Sequence, residues 1–297
     1  MRVMIVFPGA LGDLCLLAPA LGAIVTEGAD VEMSVQRSLM PVATMLLPTV
    51  RLGPPSDGAL MATLFDGEPS AVLREWLQAG DRVHAWLARG NVDGSLARRL
   101  AALGVIAELH EVPRADGAFH VGDAYAAALG VSRPVSPPPA APPAVTIPLP
   151  WRRRNSARLV VHPGAGARAK CWDPDGFRRV TDEWVAAGGE AIVLLGPAEE
   201  GDDAFWRAAG HEPHTDLSIA EAAALVASAP TWLGNDSGMS HLAGALGRRG
   251  VVLFGPTRPE RWRPLGGDLA PVDFGRRAIA AVARRVLAIL RSAPATP

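Results

Sequence analysis

The residues best suited to chemistry fall in three glycine-containing loops, 9–13 (GALGD), 162–177 (HPGAGARAKCWDPDGF) and 234–244 (GNDSGMSHLAG). Each follows an apolar run with strand character and precedes a helical pattern, which is where open α/β sheets bind ligands, beyond the carboxyl ends of their strands. In the first loop Asp13 has two readings. It can cap the helix that follows, or it can act as a general base. A free aspartate titrates near ~3.9 and is a weak base at neutral pH, so the second reading needs partial burial among Ala10, Leu11 and Leu14 to raise its basicity.

The second loop looks built for an anion. Gly164 and Gly166 let backbone amides approach a phosphate, and Lys170 adds a compact positive charge. Lys170 is the only lysine among 29 basic residues. Where composition favours arginine so strongly, a retained lysine points to a site that wants a rotatable ammonium instead of a planar fork. The same loop holds Asp173, Pro174 and Asp175, an Asp-x-Asp pattern that bridges a metal in some sugar transferases. Asp at the N-cap, Pro at the first helical position and an acid in the first turn is also how a helix begins, and that reading is preferred, with no metal implied. Gly164, Gly166 and Ala169 form a loose dinucleotide fingerprint, a weak signal alone.

In the third loop Asn235, Asp236 or Ser237 would cap a helix carrying His241, and the free amides at that helix start make a seat for a diphosphate. An acidic Asp236 repels phosphate, so it is expected to cap the helix or to receive a sugar or ribose hydroxyl. Glu199, just past a predicted strand, stands where doubly wound folds place an acid against ribose hydroxyls, or it belongs to a solvated acidic run. His211 and His214 flank Glu212 and Pro213 but lack further ligands nearby in sequence, so no metal site is expected there.

These loops need a scaffold of alternating strands and helices. Strands are predicted at 3–7, 31–35, 105–109, 158–162, 191–195, 231–233 and 251–254, and helices at 14–25, 71–79, 94–103, 174–187, 219–227, 239–246 and 276–291. The alternation implies parallel sheets covered on both faces, and 297 residues accommodate two such lobes. Between them, 134–150 (PVSPPPAAPPAVTIPLP) has eight prolines and no charge, an extended connector. The expected division is a first lobe at 1–133, the linker, a second lobe at 151–275, and a terminal helix and tail at 276–297.

Residues 1–150 carry 10 Arg against 14 Asp and Glu, net −4, and residues 151–297 carry 19 Lys and Arg against 16 acids, net +3. The mildly basic second half is the better holder of a phosphate-bearing ligand, and neither value suggests nucleic acid. Two cysteines, Cys15 and Cys171, need no disulfide, so a reducing cytoplasm is the simplest home. The apolar start is interrupted by Asp13 and two glycines and its basic leader is a single Arg2, unlike a secretion signal. At most peripheral membrane contact is expected.

Read together, FPGALGD, HPGAGARAKCWD, LLGPAEE, GNDSGMSHLAGALG and VVLFGPTRPERW resemble glycosyltransferase family 9, the heptosyltransferases, in order and spacing over essentially the whole chain. The resemblance implies a GT-B architecture: two Rossmann-like doubly wound lobes facing across a cleft, the first binding acceptor and the second a nucleotide-sugar donor. It implies inverting, metal-independent transfer of a sugar, heptose from ADP-heptose, onto a hydroxyl acceptor such as a lipopolysaccharide core or related glycan, with no cofactor beyond that co-substrate. By the same match Asp13 is the catalytic base and Lys170 neutralises the leaving diphosphate. Gly12, His162, Gly164, Gly166, Glu199, Asp236, Ser237, Gly238 and His241 would form the donor site, with Glu199 on the ribose. Phe7 stands where the family often has a basic residue, and Cys171 where a basic or polar one is common. With a net-acidic first lobe, this favours an acceptor less anionic than inner-core lipopolysaccharide, and a small molecule or protein acceptor is the alternative. Two readings from other classes are an NAD-dependent oxidoreductase, for which the acid expected about 20 residues past the glycines is misplaced, and a non-catalytic sugar-nucleotide binding protein, which would not need Asp13.

Overall fold

The computed structural model of the protein describes residues 1–65, 68–91, 93–113, 116–132, 139–142 and 157–292. The chain divides into two compact units, Met1–Val135 and Ser136–Pro297. The proline-rich connector expected at 134–150 lies outside the described residues except for 139–142, where the Ala140 amide donates to the Ala245 carbonyl at 2.8 Å.

The first unit runs β1 (Arg2–Phe7), α1 (Leu11–Thr26), β2 (Asp30–Val35), α2 (Met40–Leu46), β3 (Arg51–Leu52), α3 (Gly58–Phe65), α4 (Ala71–Gln78), β4 (Arg82–Ala85), α5 (Ser95–Ala102), β5 (Ala107–Leu109) and α6 (Val121–Ala128). Its five strands are all parallel in the order β3-β2-β1-β4-β5. A parallel strand covered on both faces reads as a continuous apolar run, and β1, buried from Val3 to Phe7, does so. Met4, Val6, Leu73, Val83 and Leu96 belong to its core. The chain winds outward through β2 and β3, then returns to the other side of β1 for β4 and β5. The direction therefore reverses between β1 and β4, and the crevice of an open α/β sheet forms at such a reversal.

The second unit runs β6 (Arg158–His162), α7 (Pro174–Ala186), β7 (Glu190–Leu194), α8 (Asp203–Ala208), β8 (Pro213–His214), α9 (Ile219–Ala227), β9 (Thr231–Asn235), α10 (Gly238–Ala245), β10 (Arg249–Phe254), α11 (Pro259–Trp262), β11 (Asp268–Asp273) and α12 (Ile279–Ser292). Six parallel strands lie in the order β11-β10-β9-β6-β7-β8, with the reversal between β6 and β9. The terminal helix α12 buries Val282, Val286 and Leu290 in this unit's core, together with Phe177 and Val180 of α7. No helix among the described residues is long and apolar enough to cross a membrane.

Candidate functional site

The first loop crosses the reversal point of the first sheet. Gly9 folds directly over the Phe7 ring, where a Cβ would stand 2.4 Å from a ring carbon, so the turn needs glycine. It delivers the chain into α1 three residues earlier than the predicted start. The capping position is Ala10, so the reading of Asp13 as the helix cap is corrected. Asp13 sits beside Gly12 in the first turn, half-buried, and its Oδ1 accepts a hydrogen bond from the Tyr125 hydroxyl at 2.9 Å. Tyr125 is wholly buried in α6 and meets Phe7 and Trp86 edge to face, with centroids at 5.9 and 5.8 Å. Burial, with the charge of Asp13, holds its phenol far above the ordinary range, so it stays a donor.

The second and third loops flank the reversal point of the second sheet, following β6 and β9, whose ends pair His162 with Gly234. Asn235, with no exposed surface, ties them together. Its Oδ1 accepts from the Trp172 amide at 3.0 Å and its Nδ2 donates to the Pro163 carbonyl at 2.5 Å. The next residue, Asp236, is 3% exposed and accepts from Lys170 Nζ at 2.9 Å and from Thr257 Oγ1 at 2.7 Å. His241 Nε2 lies 3.9 Å from its other oxygen. Asp236 therefore does not cap α10. Ser237 does, accepting from the Ser240 amide at 3.4 Å, and leaves Gly238 as the first helical residue. Like any helix start, the amides of Gly238 and Met239 have no preceding helical carbonyl to bind, so this end attracts an anion. Lys170 also lies 5.7 Å from the centre of the Trp262 ring.

Glu199 falls in a short 3₁₀ turn, Pro197–Asp202, and its carboxylate folds back to accept from the Gly196 amide at 3.0 Å. It rests on Gly164, where a Cβ would come within 2.2 Å of the carboxyl carbon. Partial burial raises its pKa, opposed by the backbone N–H groups it accepts from. Glu199, Gly166, Arg168, Cys171 and Asp202 line a pocket of about 350 Å³, near the lower end of the size range for small-ligand sites. His162 is buried beneath this region. Its Nδ1 donates to the Leu194 carbonyl at 2.9 Å, and burial lowers its pKa, which keeps the ring neutral. Asp173 caps α7 by accepting from the Asp175 amide at 2.9 Å with Pro174 following, as the spacing predicted, so helix initiation accounts for the Asp-x-Asp pattern.

The structure thus groups Lys170, Asp236 and His241 at the start of α10, and Gly164 and Glu199 around the pocket, with His162 beneath. Asp13 and Gly12 belong to the first unit. Four participants carry no role in the sequence reading: Tyr125, Asn235 as a loop tie, Thr257 and Trp262. Tyr125 had one available signal, being the only tyrosine in the chain.

One cluster of possible metal ligands occurs among the described residues, His84, Glu108 and His110, in the first unit and not at His211 and His214. Burial holds both imidazoles of this cluster below their usual pKa. His211 instead pairs with Asp182 at 2.7 Å.

Comparison with known proteins gives three findings. Residues 143–277 match the family described as glycosyltransferase family 9 (heptosyltransferase). Lipopolysaccharide heptosyltransferase 3 of Escherichia coli strain K12 is 32% identical over 113 residues, a stretch covering 36% of this chain and only 33% of that protein. In three dimensions the chain superposes on E. coli ADP-heptose lps heptosyltransferase II with a TM-score of 0.71 at 17% identity, covering 98% of both chains. It superposes on E. coli heptosyltransferase WaaC solved with ADP at a TM-score of 0.70 and 20% identity, covering 98% of this chain and 99% of that one. These likenesses show the fold, two parallel-sheet α/β domains. In sequence across 143–277 and in fold across nearly its whole length, the protein is similar to glycosyltransferase family 9.

Proposed function

We propose that the protein is an inverting glycosyltransferase that moves heptose from ADP-heptose onto a hydroxyl of a lipopolysaccharide core or related glycan, without a metal in the reaction. The observation that carries this reading is the group at the reversal point of the second sheet. A lone lysine, held on a buried aspartate, stands at a helix start within the stretch that matches family 9. Lys170 and the amides at Gly238 supply positive potential for a diphosphate, and Glu199 in its pocket accepts from ribose hydroxyls. Asp13 takes the proton from the acceptor hydroxyl as that oxygen attacks the anomeric carbon. The bond from that carbon to the phosphate oxygen breaks, its electron pair leaves with ADP, and configuration inverts in one step.

Phe7, buried under Gly9, puts an aromatic ring where a basic side chain would favour phosphate groups, and this supports a neutral glycan or a small-molecule or protein acceptor over a phosphorylated core. The proposed home is the cytoplasm.

The test is release of ADP from ADP-heptose in the presence of candidate acceptors, wild type against Asp13→Asn. Transfer should vanish in the variant while calorimetric donor binding stays. Turnover within about tenfold of wild type, only ~1.4 kcal/mol of barrier, removes Asp13 from the role. Reduction of NAD in place of ADP release would sink the transferase reading as a whole.

A further inference from the structure

Outside the loops just described, β4 and β5 carry an arrangement that the transfer reaction does not use. They are parallel neighbours with His84 directly across from Glu108. His110 follows Glu108 by two residues, so all three side chains stand on one face of the sheet. Their ligand atoms lie within 4.8 Å of one another. The two imidazole planes differ by only 9°, with centroids 5.2 Å apart and His84 Nδ1 2.9 Å from His110 Nε2. The rings therefore meet edge to edge, each directing a nitrogen into the same gap. Glu108 Oε2 borders that gap, 3.9 Å from His84 Nδ1, while Oε1 pairs with Arg82 at 3.2 Å.

Both rings are held in place. His84 is 6% exposed, and His110 packs on Trp86 with centroids 4.9 Å apart. The Glu108 side chain is 46% exposed, which leaves a path from solvent. A hydrogen bond between two neutral imidazoles accounts for the rings alone. It does not account for a carboxylate oxygen at the rim of the same gap on the same face.

We propose that His84, Glu108 and His110 form a binding site for a divalent transition metal, with zinc the best match to two imidazole nitrogens and one carboxylate oxygen. On zinc at ~2.0–2.1 Å with near-tetrahedral angles, two ligand nitrogens sit roughly 3.3 Å apart. The imidazole pair then opens by a few tenths of an ångström, and each ring tilts by roughly 35° so that lone pairs now aimed along the N–N line converge on the ion. The proton now in the gap moves to that ring's outer nitrogen, so both rings bind as neutral ligands and no proton is lost. Three protein ligands leave a fourth position for water. The ion would fasten β4 to β5 beside Trp86, whose ring meets Tyr125, the residue bonded to Asp13. This inference stands independently of the transfer reaction.

The test uses the full chain without a histidine tag, stripped with a chelator and titrated separately with Co²⁺ and Zn²⁺. One equivalent of Co²⁺ should produce the visible absorption of a low-coordinate nitrogen and oxygen site, and one equivalent of Zn²⁺ should abolish it. His110→Gln and Glu108→Gln, each verified as folded by circular dichroism, should each lose at least tenfold in affinity. His211→Gln, in the second unit, should keep the wild-type value. Absence of a saturable one-equivalent signal overturns the proposal. So does wild-type affinity in both His110→Gln and Glu108→Gln, which would leave the cluster as a hydrogen-bonded imidazole pair.

Discussion

The Tyr125 hydroxyl donates to Asp13 Oδ1 at 2.9 Å, joining the first turn of α1 to a residue 112 positions later in α6. A carboxylate proposed as a base needs a fixed orientation, and this bond supplies one from a phenol that burial keeps protonated.

Tyr125→Phe keeps the ring among Phe7 and Trp86 and removes only the donor. A hydrogen bond to a charged group contributes ~1.5–3 kcal/mol. If most of that orients Asp13 for proton transfer, kcat falls by roughly ten- to a hundredfold. Donor affinity, measured by calorimetry, should not move, because Lys170, Glu199 and the amides at Gly238, the groups proposed to hold diphosphate and ribose, belong to the second unit. An unchanged kcat would make the Tyr125 bond purely structural.

Lys170 has two roles that separate by measurement. Toward the donor it neutralises diphosphate, so Lys170→Met should weaken ADP binding and slow turnover together. Toward the protein it partners Asp236, which is 3% exposed, and its removal leaves that carboxylate with Thr257 and His241 nearby. The stability loss should be about 1–3 kcal/mol. Adding Asp236→Asn should recover part of the stability and none of the ADP affinity. Recovery of both would show that Lys170 serves only to neutralise Asp236.

The sequence made the scaffold legible wherever apolar runs were long. β6 and α9 match their predicted bounds, because a buried parallel strand and a Ser-capped helix each carry a strong local signature. It left out β4, whose four residues, Arg82–Ala85, include a histidine and an arginine and do not read as a strand. With β4 went the alignment of His84 on Glu108, which only strand register reveals. β11 was hidden by Pro271, which is tolerated because β11 is the edge strand of its sheet. Within the site, the glycine loops and the Ser237 cap are legible because each is a feature of consecutive residues, and Lys170 stands out only by composition, since its partner Asp236 lies 66 positions away. Tyr125, Asn235 and Thr257 act on partners 112, 63 to 72 and 21 positions away, and no spacing rule reaches that far.

Gly164→Ala tests the contact between Gly164 and Glu199. A Cβ there collides with the Glu199 carboxylate, the end of a flexible side chain, so the fold should survive with little change in melting temperature. The carboxylate must leave its bond to the Gly196 amide, and ADP affinity should fall. If the effect runs through Glu199, adding Gly164→Ala to Glu199→Ala should cost no further affinity. Additive losses would mean that Gly164 acts through direct backbone approach to the ligand instead.

His162 sets a pH dependence whose sign follows from its surroundings. Burial is the main cause of its lowered pKa, partly offset by the bond to the Leu194 carbonyl. The folded protein therefore binds a proton at His162 more weakly than the unfolded chain, whose histidine titrates near its ordinary value of 6.5. Above that value both states are neutral and the stability contribution of the buried ring is complete. As pH falls through 6.5 toward the folded pKa, the unfolded chain gains a proton that the folded one refuses, and stability drops. Urea denaturation at about pH 7.5 and about pH 5.5, with chelator present, should show lower stability in acid. His162→Gln, which keeps a donor for Leu194 and cannot titrate, should reduce the difference between the two conditions. An equal acid loss in the variant would assign the effect to other groups and leave His162 without a part in it.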